Sequence, residues 1–435
     1  MVRRVALRVA LTATAAFAAS ACGGRPSPAP PPPAATAASA QADAVVGVTA
    51  APCPGGHADR GCVYLGTVSD LRDGPLAETG QAMEAGIAAF WRRVNEAGGI
   101  GGYDIDVVTH SGDSGYAPRG HRLAFEGVRN HVLALAQTLG VPQTVGILAD
   151  MEDHAIVAVP GSASSTWEFA DVIAESGASP CVELANAVDF VAEQDGPPGV
   201  VAAVHYPGDY GEDAAAGARA AARRLGARFV DVVTPSGHQQ QGPAIDRLLA
   251  ERPVIVAVAT GPAELAVIVR EMSARGFTGR FVGASPAWDE ELLATPAAED
   301  LRERYLQALP WAPWNADTPG HRAMRDALNE EPPSQAAVAG WVSQYPLRAA
   351  LERAAADRLP TRRALLRALG SLESVDAEGM LPAAAGNFAA PPPQAAFRQT
   401  VMAAIDPGAP TGLTLREDLF TGPTAAAMSF DRPCH

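Results

Sequence analysis

The chain has 435 residues, which is enough for two domains or for two lobes of one domain. Hydrophobic residues make up 48% of it, so a large core can be buried and disorder is not the default expectation. The formal charge of -15 argues against a nucleic-acid partner, because phosphate binding depends on clustered basic side chains.

The amino terminus predicts export and attachment to a lipid. Three arginines within the first eight residues precede an apolar run over residues 9–19, which is too short to span a bilayer as a mature helix. The run ends in Ala-Ser-Ala directly before Cys22, a pattern that looks like a bacterial lipobox. Residues 1–21 are therefore predicted to be a signal peptide, and Cys22 to carry a lipid that anchors the protein on the outer face of the cytoplasmic membrane. The alternative is cleavage at the same small residues, which gives a free secreted protein.

Residues 22–50 are predicted to be a linker. Pro, Ala and Ser dominate the segment after Cys22, and such a composition stays extended because it has no apolar periodicity to fold around. The linker would hold the folded body away from the membrane surface.

Four cysteines lie beyond the linker, at positions 53, 62, 181 and 434. An even number in an exported chain predicts disulfides, and three pairings are possible. The short loop between Cys53 and Cys62, rich in Gly and Pro, favours that local pair and leaves Cys181 with Cys434. Four unpaired thiols are the alternative. These cysteines and His57 lack the ligand spacings of a metal site, so no metal is predicted.

From residue 63 onward, short apolar runs alternate with amphipathic segments. The pattern predicts strands at residues 63–68, 105–109, 132–136, 156–159, 199–204, 228–233, 254–259 and 280–283. It predicts a first helix that begins near Pro75 and ends at Gly98–Gly99, and further helices at residues 121–130, 144–153, 183–193, 211–225 and 263–275, with a short segment at 245–250 between two strands. Strands that alternate with helices imply parallel sheets with right-handed crossovers. Since there are too many units for one open sheet, we predict an α/β fold with two doubly wound parallel-sheet lobes.

Signatures of an enzyme or of a cofactor site are weak in this sequence. Residues 161–164 are rich in Gly and Ser but lack the spacing of a nucleophile elbow. The glycine-rich segment 98–102 follows a predicted helix and precedes a strand, whereas a phosphate-binding loop needs the opposite order. The acidic run 289–291 is more typical of a solvated helix start than of a catalytic cluster. No catalysis and no cofactor are predicted, with a periplasmic hydrolase as the alternative.

Polar residues follow four of the predicted strands at the point where each strand ends. In open parallel sheets, ligands bind at the carboxyl ends of strands. Serines follow strand 156–159, and a run that includes Tyr210 follows strand 199–204. Thr260 follows strand 254–259, and Ser285 comes soon after strand 280–283. Ordinary loop and capping chemistry is the alternative for each set, but four sets in one chain favour a ligand site.

Several segments resemble the leucine/isoleucine/valine-type periplasmic binding proteins, which are the branched-chain amino acid branch of type I solute-binding proteins. The resemblance extends from about residue 63 to about residue 397. Its most specific part is Asn-x-x-Gly-Gly-Ile-x-Gly at residues 95–102. Supporting parts are Tyr-Leu-Gly-Thr-Val-Ser-Asp at 64–70, Val-Pro-Gly-Ser-Ala-Ser at 159–164, Asp-Tyr-Gly-Glu at 209–212 and Phe-Val-Gly at 281–283.

The resemblance implies two lobes joined by three crossovers, near residues 181–183, 309–313 and 382–387. The first lobe would then comprise residues 51–182 plus 313–382, and the second residues 183–309 plus 387–435.

The resemblance also implies a ligand site between the lobes. On the first lobe, the ligand carboxylate would meet hydroxyls and backbone N–H groups of Ser162, Ala163 and Ser164, and of the loop that begins at Thr138.

On the second lobe, Tyr210 corresponds to the aromatic wall of the family site, and Thr260 to a position where another aromatic residue often lies. The acidic residue that binds the ligand ammonium corresponds to Ser285, which is a departure from the family pattern. Because an unpaired buried charge is strongly unfavourable, a ligand without an α-ammonium is predicted, such as an amide, a short carboxylate or a polyol.

The resemblance implies an extracytoplasmic, monomeric receptor that captures a small polar ligand for the permease of an ABC importer. A ligand-sensing lipoprotein without a permease is the alternative within the same class of binding proteins.

Overall fold

The computed structural model describes residues 45–329, 331–356 and 360–435. The predicted signal peptide, Cys22 and most of the linker lie outside these residues. None of the helices that the structure describes combines the length and the apolar character needed to cross a bilayer.

The first sheet is built from the amino-terminal part of the folded body. Its strands are β1 (Val48–Thr49), β2 (Gly61–Ser69), β3 (Tyr103–Asp113), β4 (Ala134–Thr138) and β5 (Ala158–Pro160). Strand β2 pairs in parallel with β3 and β4, and β5 pairs in parallel with β4. Strand β1 pairs antiparallel with the start of β2. Every residue of β4 is buried, as expected for a central parallel strand that is covered on both faces.

The second sheet has seven strands in the order β12-β11-β10-β9-β8-β6-β7. They are β6 (Val200–His205), β7 (Arg228–Val233), β8 (Ile255–Ala259), β9 (Arg280–Gly283), β10 (Tyr305–Leu309), β11 (Thr400–Ile405) and β12 (Leu413–Phe420). Strands β6 to β10 are parallel, whereas β11 and β12 continue the sheet in antiparallel pairing.

Helices cover the sheets, and many of them start with a proline. The helices are α1 (Ala77–Glu96), α2 (Pro118–Val128), α3 (Val141–His154), α4 (Pro180–Asp195), α5 (Asp209–Arg224), α6 (Gly242–Glu251), α7 (Pro262–Ala274), α8 (Ala298–Arg304), α9 (Pro319–Ala327), α10 (Gln335–Val342), α11 (Gln344–Ala356), α12 (Arg362–Leu369), α13 (Pro392–Ala395) and α14 (Pro423–Ala426). Proline suits these starts because the N–H that it lacks has no partner inside the helix.

Each strand and helix predicted up to residue 283 is present, with ends that differ by a few residues. The α/β class and the two parallel sheets are therefore confirmed. Beyond residue 283 the sequence analysis assigned no strands or helices, and the structure adds helices α8 to α14, the parallel strand β10 and the antiparallel strands β11 and β12. The residue bounds of the two lobes stay a prediction.

The core of the first sheet includes residues from both ends of the chain. Phe90 on α1 makes edge-to-face contacts with Trp341 on α10 and Tyr345 on α11. Helices α1 and α10 cross closely at Gly86, where an added Cβ would lie 2.3 Å from the carbonyl oxygen of Ala337. Glycine is therefore required at this crossing, and residues beyond 330 complete the core that β2 to β5 begin.

The motif at residues 95–102 has a structural explanation. The side chain of Asn95 donates to the carbonyl oxygen of Ile105 at 2.9 Å and accepts from its N–H at 2.8 Å. Gly99 has a φ of +70°, and an added Cβ there would lie 2.2 Å from the carbonyl oxygen of Tyr103. The motif joins the end of α1 to the start of β3.

Candidate functional site

The predicted site residues lie in loops that follow β4 and β5 in the first sheet and β6, β8 and β9 in the second. Neighbouring parallel strands end on the same edge of a sheet, so each sheet gathers its loops on one side. The two groups of loops meet where Ser165, which follows β5, hydrogen-bonds to Asp213 on α5.

The turn after β5 presents Ser162 and Ala163 half-buried and Ser164 fully buried. The N–H of Gly140 donates to Ser162 Oγ at 3.2 Å. The indole of Trp167 donates to the carbonyl oxygen of Ser162 at 2.8 Å. Both bonds fix the turn against the first lobe, while Ser162 and Ala163 keep surface that a ligand can reach.

Thr138, at the end of β4, is fully buried. Its hydroxyl is hydrogen-bonded to His121 Nε2 at 2.9 Å and to Thr144 Oγ1 at 2.8 Å. Burial lowers the pKa of His121 to about 4, so the imidazole is neutral. The Thr138 hydroxyl is thus committed to partners in the first lobe, and its role in ligand binding stays a prediction.

Two tyrosines of the second lobe, Tyr206 and Tyr210, lie half-buried around the start of α5. The Tyr210 hydroxyl donates to the carbonyl oxygen of Ala284 at 3.4 Å. The Tyr206 hydroxyl accepts from the N–H of Gly261 at 2.9 Å. Burial is the main cause that raises the pKa of both phenols, so both stay neutral. They form an aromatic surface next to the loops after β8 and β9.

A third tyrosine, Tyr116, comes from the first lobe and was missed by the sequence analysis. It lies near enough to Tyr206 to contribute to the raised pKa of that phenol. Its φ of 54° is in the left-handed region, which residues with a side chain rarely adopt. Gln143 Nε2 donates to its carbonyl oxygen at 2.9 Å. The only signal in the sequence was the turn dipeptide Ser114–Gly115 after a predicted strand.

Ser285 follows β9 and is half-buried. Its N–H donates to Glu183 Oε2 at 2.8 Å. Glu183 lies in the first turn of α4 and is completely buried. Burial raises the pKa of Glu183 to about 8, and the nearby Asp213 adds to this effect. An acid thus lies beneath Ser285, on an element that the sequence analysis did not associate with the site.

Thr260, after β8, is also fully buried. Its hydroxyl donates to the carbonyl oxygen of Gly261 at 3.2 Å. The neighbouring Glu264 accepts from the N–H of Gly237 at 2.6 Å. Like Thr138, Thr260 has its hydroxyl committed to the protein itself, and its contact with a ligand stays a prediction.

Two disulfides are present, with the pairing that the loop lengths favoured. Cys53 is bonded to Cys62, and Cys181 is bonded to Cys434. Within the described residues, the groups of three possible metal ligands each contain one of these pairs, so their sulfurs are not free to act as thiolate ligands.

The acidic run at residues 289–291 lies at the start of a short 3-10 turn. Asp289 accepts from the N–H of Glu291 at 2.8 Å and caps this turn. The carboxylate therefore has a structural role, as the sequence analysis expected.

Comparison with known proteins identifies the family of this chain. Residues 63–405 match the family described as periplasmic binding protein. No match was found among curated proteins. Members of this family bind solutes and are not enzymes, so the hydrolase alternative is set aside.

Solved structures with the same fold include several transport receptors. A fatty acid ABC transporter substrate-binding protein from Thermomonospora curvata superimposes with a TM-score of 0.79 and 25% identity, over 88% of this chain and 97% of that chain. A branched chain amino acid ABC transporter from Thermus thermophilus with bound valine gives 0.68 and 18%, over 84% and 98%. A leucine binding protein from Thermotoga maritima gives 0.67 and 17%, over 82% and 99%.

The family match covers more than three quarters of the chain, from β2 to β11, and includes the loops after β4, β5, β6, β8 and β9. The chain therefore belongs to the periplasmic binding protein family, as an extracytoplasmic solute-binding receptor with the type I α/β fold.

Proposed function

We propose that this receptor binds a small carboxylate without an α-ammonium group between its two lobes and delivers it to the permease of an ABC importer. The ligand class rests on the state of the acidic side chains near the strand ends. A bound amino acid would need one of them as a free carboxylate for its ammonium.

Asp70, at the end of β2, is fully buried and accepts from the N–H groups of Gly74 at 3.1 Å and Leu76 at 2.8 Å. Its oxygens hold the loop before α1. Asp289 is committed to its own turn, as described above. Neither is available to an ammonium group.

Glu183 is the acid beneath Ser285, and Ser285 is the residue that corresponds to the acidic, ammonium-binding position of the family. Its pKa of about 8 means that the group is protonated at neutral pH and supplies no negative charge. A neutral carboxyl group there disfavours a cationic ligand group and accepts a neutral or anionic ligand. The complete burial of Glu183 beneath Ser285, where its Oε2 accepts from the Ser285 N–H, is the observation that carries the proposal.

The relative from Thermomonospora curvata supports the same ligand class, since it is described as a fatty acid transport receptor. A fatty acid has a carboxylate and no ammonium. The valine- and leucine-binding structures share the fold at lower identity.

We propose that Ser162, Ala163 and Ser164 meet the ligand carboxylate from the first lobe, together with the loop that begins at Thr138. From the second lobe, the proposed contacts are Tyr210, Thr260 and Ser285, and the structure leads us to add Tyr116 and Tyr206.

A matched pair of ligands tests the proposal. Leucine and 4-methylpentanoate share a carbon skeleton and a carboxylate, and differ only in the α-ammonium. In thermal-shift and calorimetric titrations, 4-methylpentanoate should stabilise the protein and leucine should not. A ligand at a hundredfold excess over its dissociation constant adds about 2.7 kcal/mol to the free energy of unfolding, which such a scan detects. The amide 4-methylpentanamide serves as a control for the carboxylate. A strong shift with leucine that Ser162→Ala abolishes would contradict the proposal.

We further propose that the mature protein is a monomer anchored through a lipid on Cys22. The predicted signal peptide and the small residues before Cys22 support the anchor. Mass spectrometry of the mature amino terminus tests it, and a wild-type protein that is wholly soluble and carries no lipid mass would contradict it.

A further inference from the structure

One buried carboxylate, that of Asp213 on α5, connects four separate segments of the chain. Asp213 is fully buried. Its Oδ1 accepts from the Ser165 hydroxyl, and its Oδ2 accepts from the N–H of Ser165 at 3.3 Å. Ser165 follows β5 of the first sheet, whereas α5 packs on the second sheet. A single carboxylate therefore bonds across the junction between the two lobes.

The same carboxylate also holds the crossover and the end of the chain. The N–H of Cys181, at the start of α4, donates to Asp213 Oδ2 at 3.2 Å. The N–H of Cys434 donates to Ser165 Oγ at 2.8 Å, and His435 Nδ1 lies 3.4 Å from Asp213 Oδ1. The disulfide between Cys181 and Cys434 ties these two segments together.

We propose that Asp213 is a positioning residue for ligand binding, which fixes the turn after β5 and the start of α5 relative to each other. This inference rests on the proposed ligand site. Ser165 directly follows the turn with Ser162 and Ser164, and Asp213 lies one helical turn after Tyr210. The Ser165–Asp213 bond thus sets the distance between the two surfaces proposed to enclose the ligand, without touching the ligand itself.

A second buried carboxylate provides a matched control. Asp189, on α4, is buried to a similar degree. It accepts from the Thr424 N–H at 2.6 Å, from the Thr424 hydroxyl at 2.8 Å and from Arg224 at 3.0 Å. Its partners lie on α14 and α5 and belong to no ligand-facing loop. Loss of Asp189 should therefore weaken the fold without changing the ligand site.

The first test compares Asp213→Ala, Ser165→Ala and Asp189→Ala by hydrogen exchange without ligand. In Asp213→Ala and Ser165→Ala, amides over residues 161–167 should exchange about tenfold faster than in wild type, because the local opening free energy falls. Asp189→Ala should leave these amides unchanged. Unchanged exchange over 161–167 in both Asp213→Ala and Ser165→Ala would overturn the proposal. Ser165→Ala removes a single hydroxyl and keeps the test informative if Asp213→Ala does not fold.

The second test measures the dissociation constant of 4-methylpentanoate. Asp213→Ala should raise it about tenfold, while Asp189→Ala, even with a comparable loss of melting temperature, should not. The double variant Asp213→Ala/Ser165→Ala should bind much less weakly than the sum of the two single effects predicts, because both changes remove the Ser165–Asp213 contact. Equal weakening by Asp189→Ala would reduce Asp213 to a purely structural role and overturn the proposal. If wild type does not bind this probe, the proposed ligand class fails, and the exchange comparison still decides the role of Asp213.

Discussion

Glu183→Gln should remove a pH dependence of stability that the wild-type protein shows below about pH 8. Burial raises the pKa of Glu183 from the ordinary 4.5 to about 8. The groups that face it are Asp213 and Tyr210 on α5, Tyr305 on β10 and Ser285 after β9. Among the ionisable members of this set there is no cation, so nothing there favours the ionised form.

The direction of the effect follows from proton binding. Below the ordinary pKa, Glu183 is protonated in both the folded and the unfolded chain and contributes no pH dependence. Between 4.5 and about 8, the folded protein keeps the proton and the unfolded chain loses it, so the free energy of unfolding falls as pH rises. Above about 8 the folded protein also loses the proton, and the decrease levels off.

The slope in the intermediate window is about 1.4 kcal/mol per pH unit for one proton. From about pH 5.5 to about pH 7.5, wild type should therefore lose roughly 3 kcal/mol relative to Glu183→Gln. Glutamine keeps an oxygen that can accept from the Ser285 N–H, so the loop after β9 remains held.

Urea unfolding of both proteins across this pH range measures the difference directly. The quantity of interest is the free energy of unfolding of wild type minus that of the variant, at matched m-values. Glu291→Gln, whose side chain is exposed, controls for the removal of one acidic group. Parallel pH profiles for wild type and Glu183→Gln would refute the reasoning and restore Glu183 as a candidate partner for a ligand ammonium.

Three further outcomes are expected. Tyr210→Ala should weaken 4-methylpentanoate binding by about 1 to 3 kcal/mol in calorimetry, whereas Tyr210→Phe should retain most of the affinity. If Tyr210→Ala leaves the affinity unchanged, this ring lies outside the site. Replacing both Cys181 and Cys434 with Ser should lower the free energy of unfolding by about 4 kcal/mol or more, since the bridge closes a very long loop, and an unchanged urea midpoint would contradict this. Cys22→Ala should leave the protein unprocessed or release it from membranes, as fractionation would show.

The sequence predicted the fold well where local periodicity decides it. Most strands from β2 to β9 contain a short apolar run, and the intervening helices have an apolar stripe, so spacing separates them. The antiparallel strand β12 did not give this signal, because residues 415–420 alternate only weakly and remain half-buried or exposed. An edge strand with one solvated face carries little hydrophobic pattern.

The site was less accessible to prediction, because its geometry depends on contacts between distant residues. Ser165 and Asp213 are 48 residues apart, and Glu183 and Ser285 are 102 apart. Neither pair has a local pattern that marks it. The sequence placed Ser285 at a strand end correctly, yet it could not show that a buried acid lies beneath it. Whether a serine or threonine at a strand end faces a ligand or its own lobe is likewise decided by packing, as Thr138 and Thr260 illustrate.

Helix α4 connects these observations, because its first turn serves both the ligand site and the junction of the lobes. Cys181 binds the carboxylate of Asp213 and the carboxyl-terminal cysteine, and Glu183, one residue beyond Val182, binds the loop that carries Ser285. The chain passes from the first sheet to the second between β5 and β6, and this turn lies on that connection, so we expect a rotation of one sheet relative to the other to strain the bonds made here. Any such rotation therefore displaces Ser285 and the turn after β5 together. It follows that ligand affinity and lobe geometry share the same few hydrogen bonds. Substitutions at the start of α4 should therefore change both at once, whereas a substitution at Asp189, near the middle of the helix, should change stability alone.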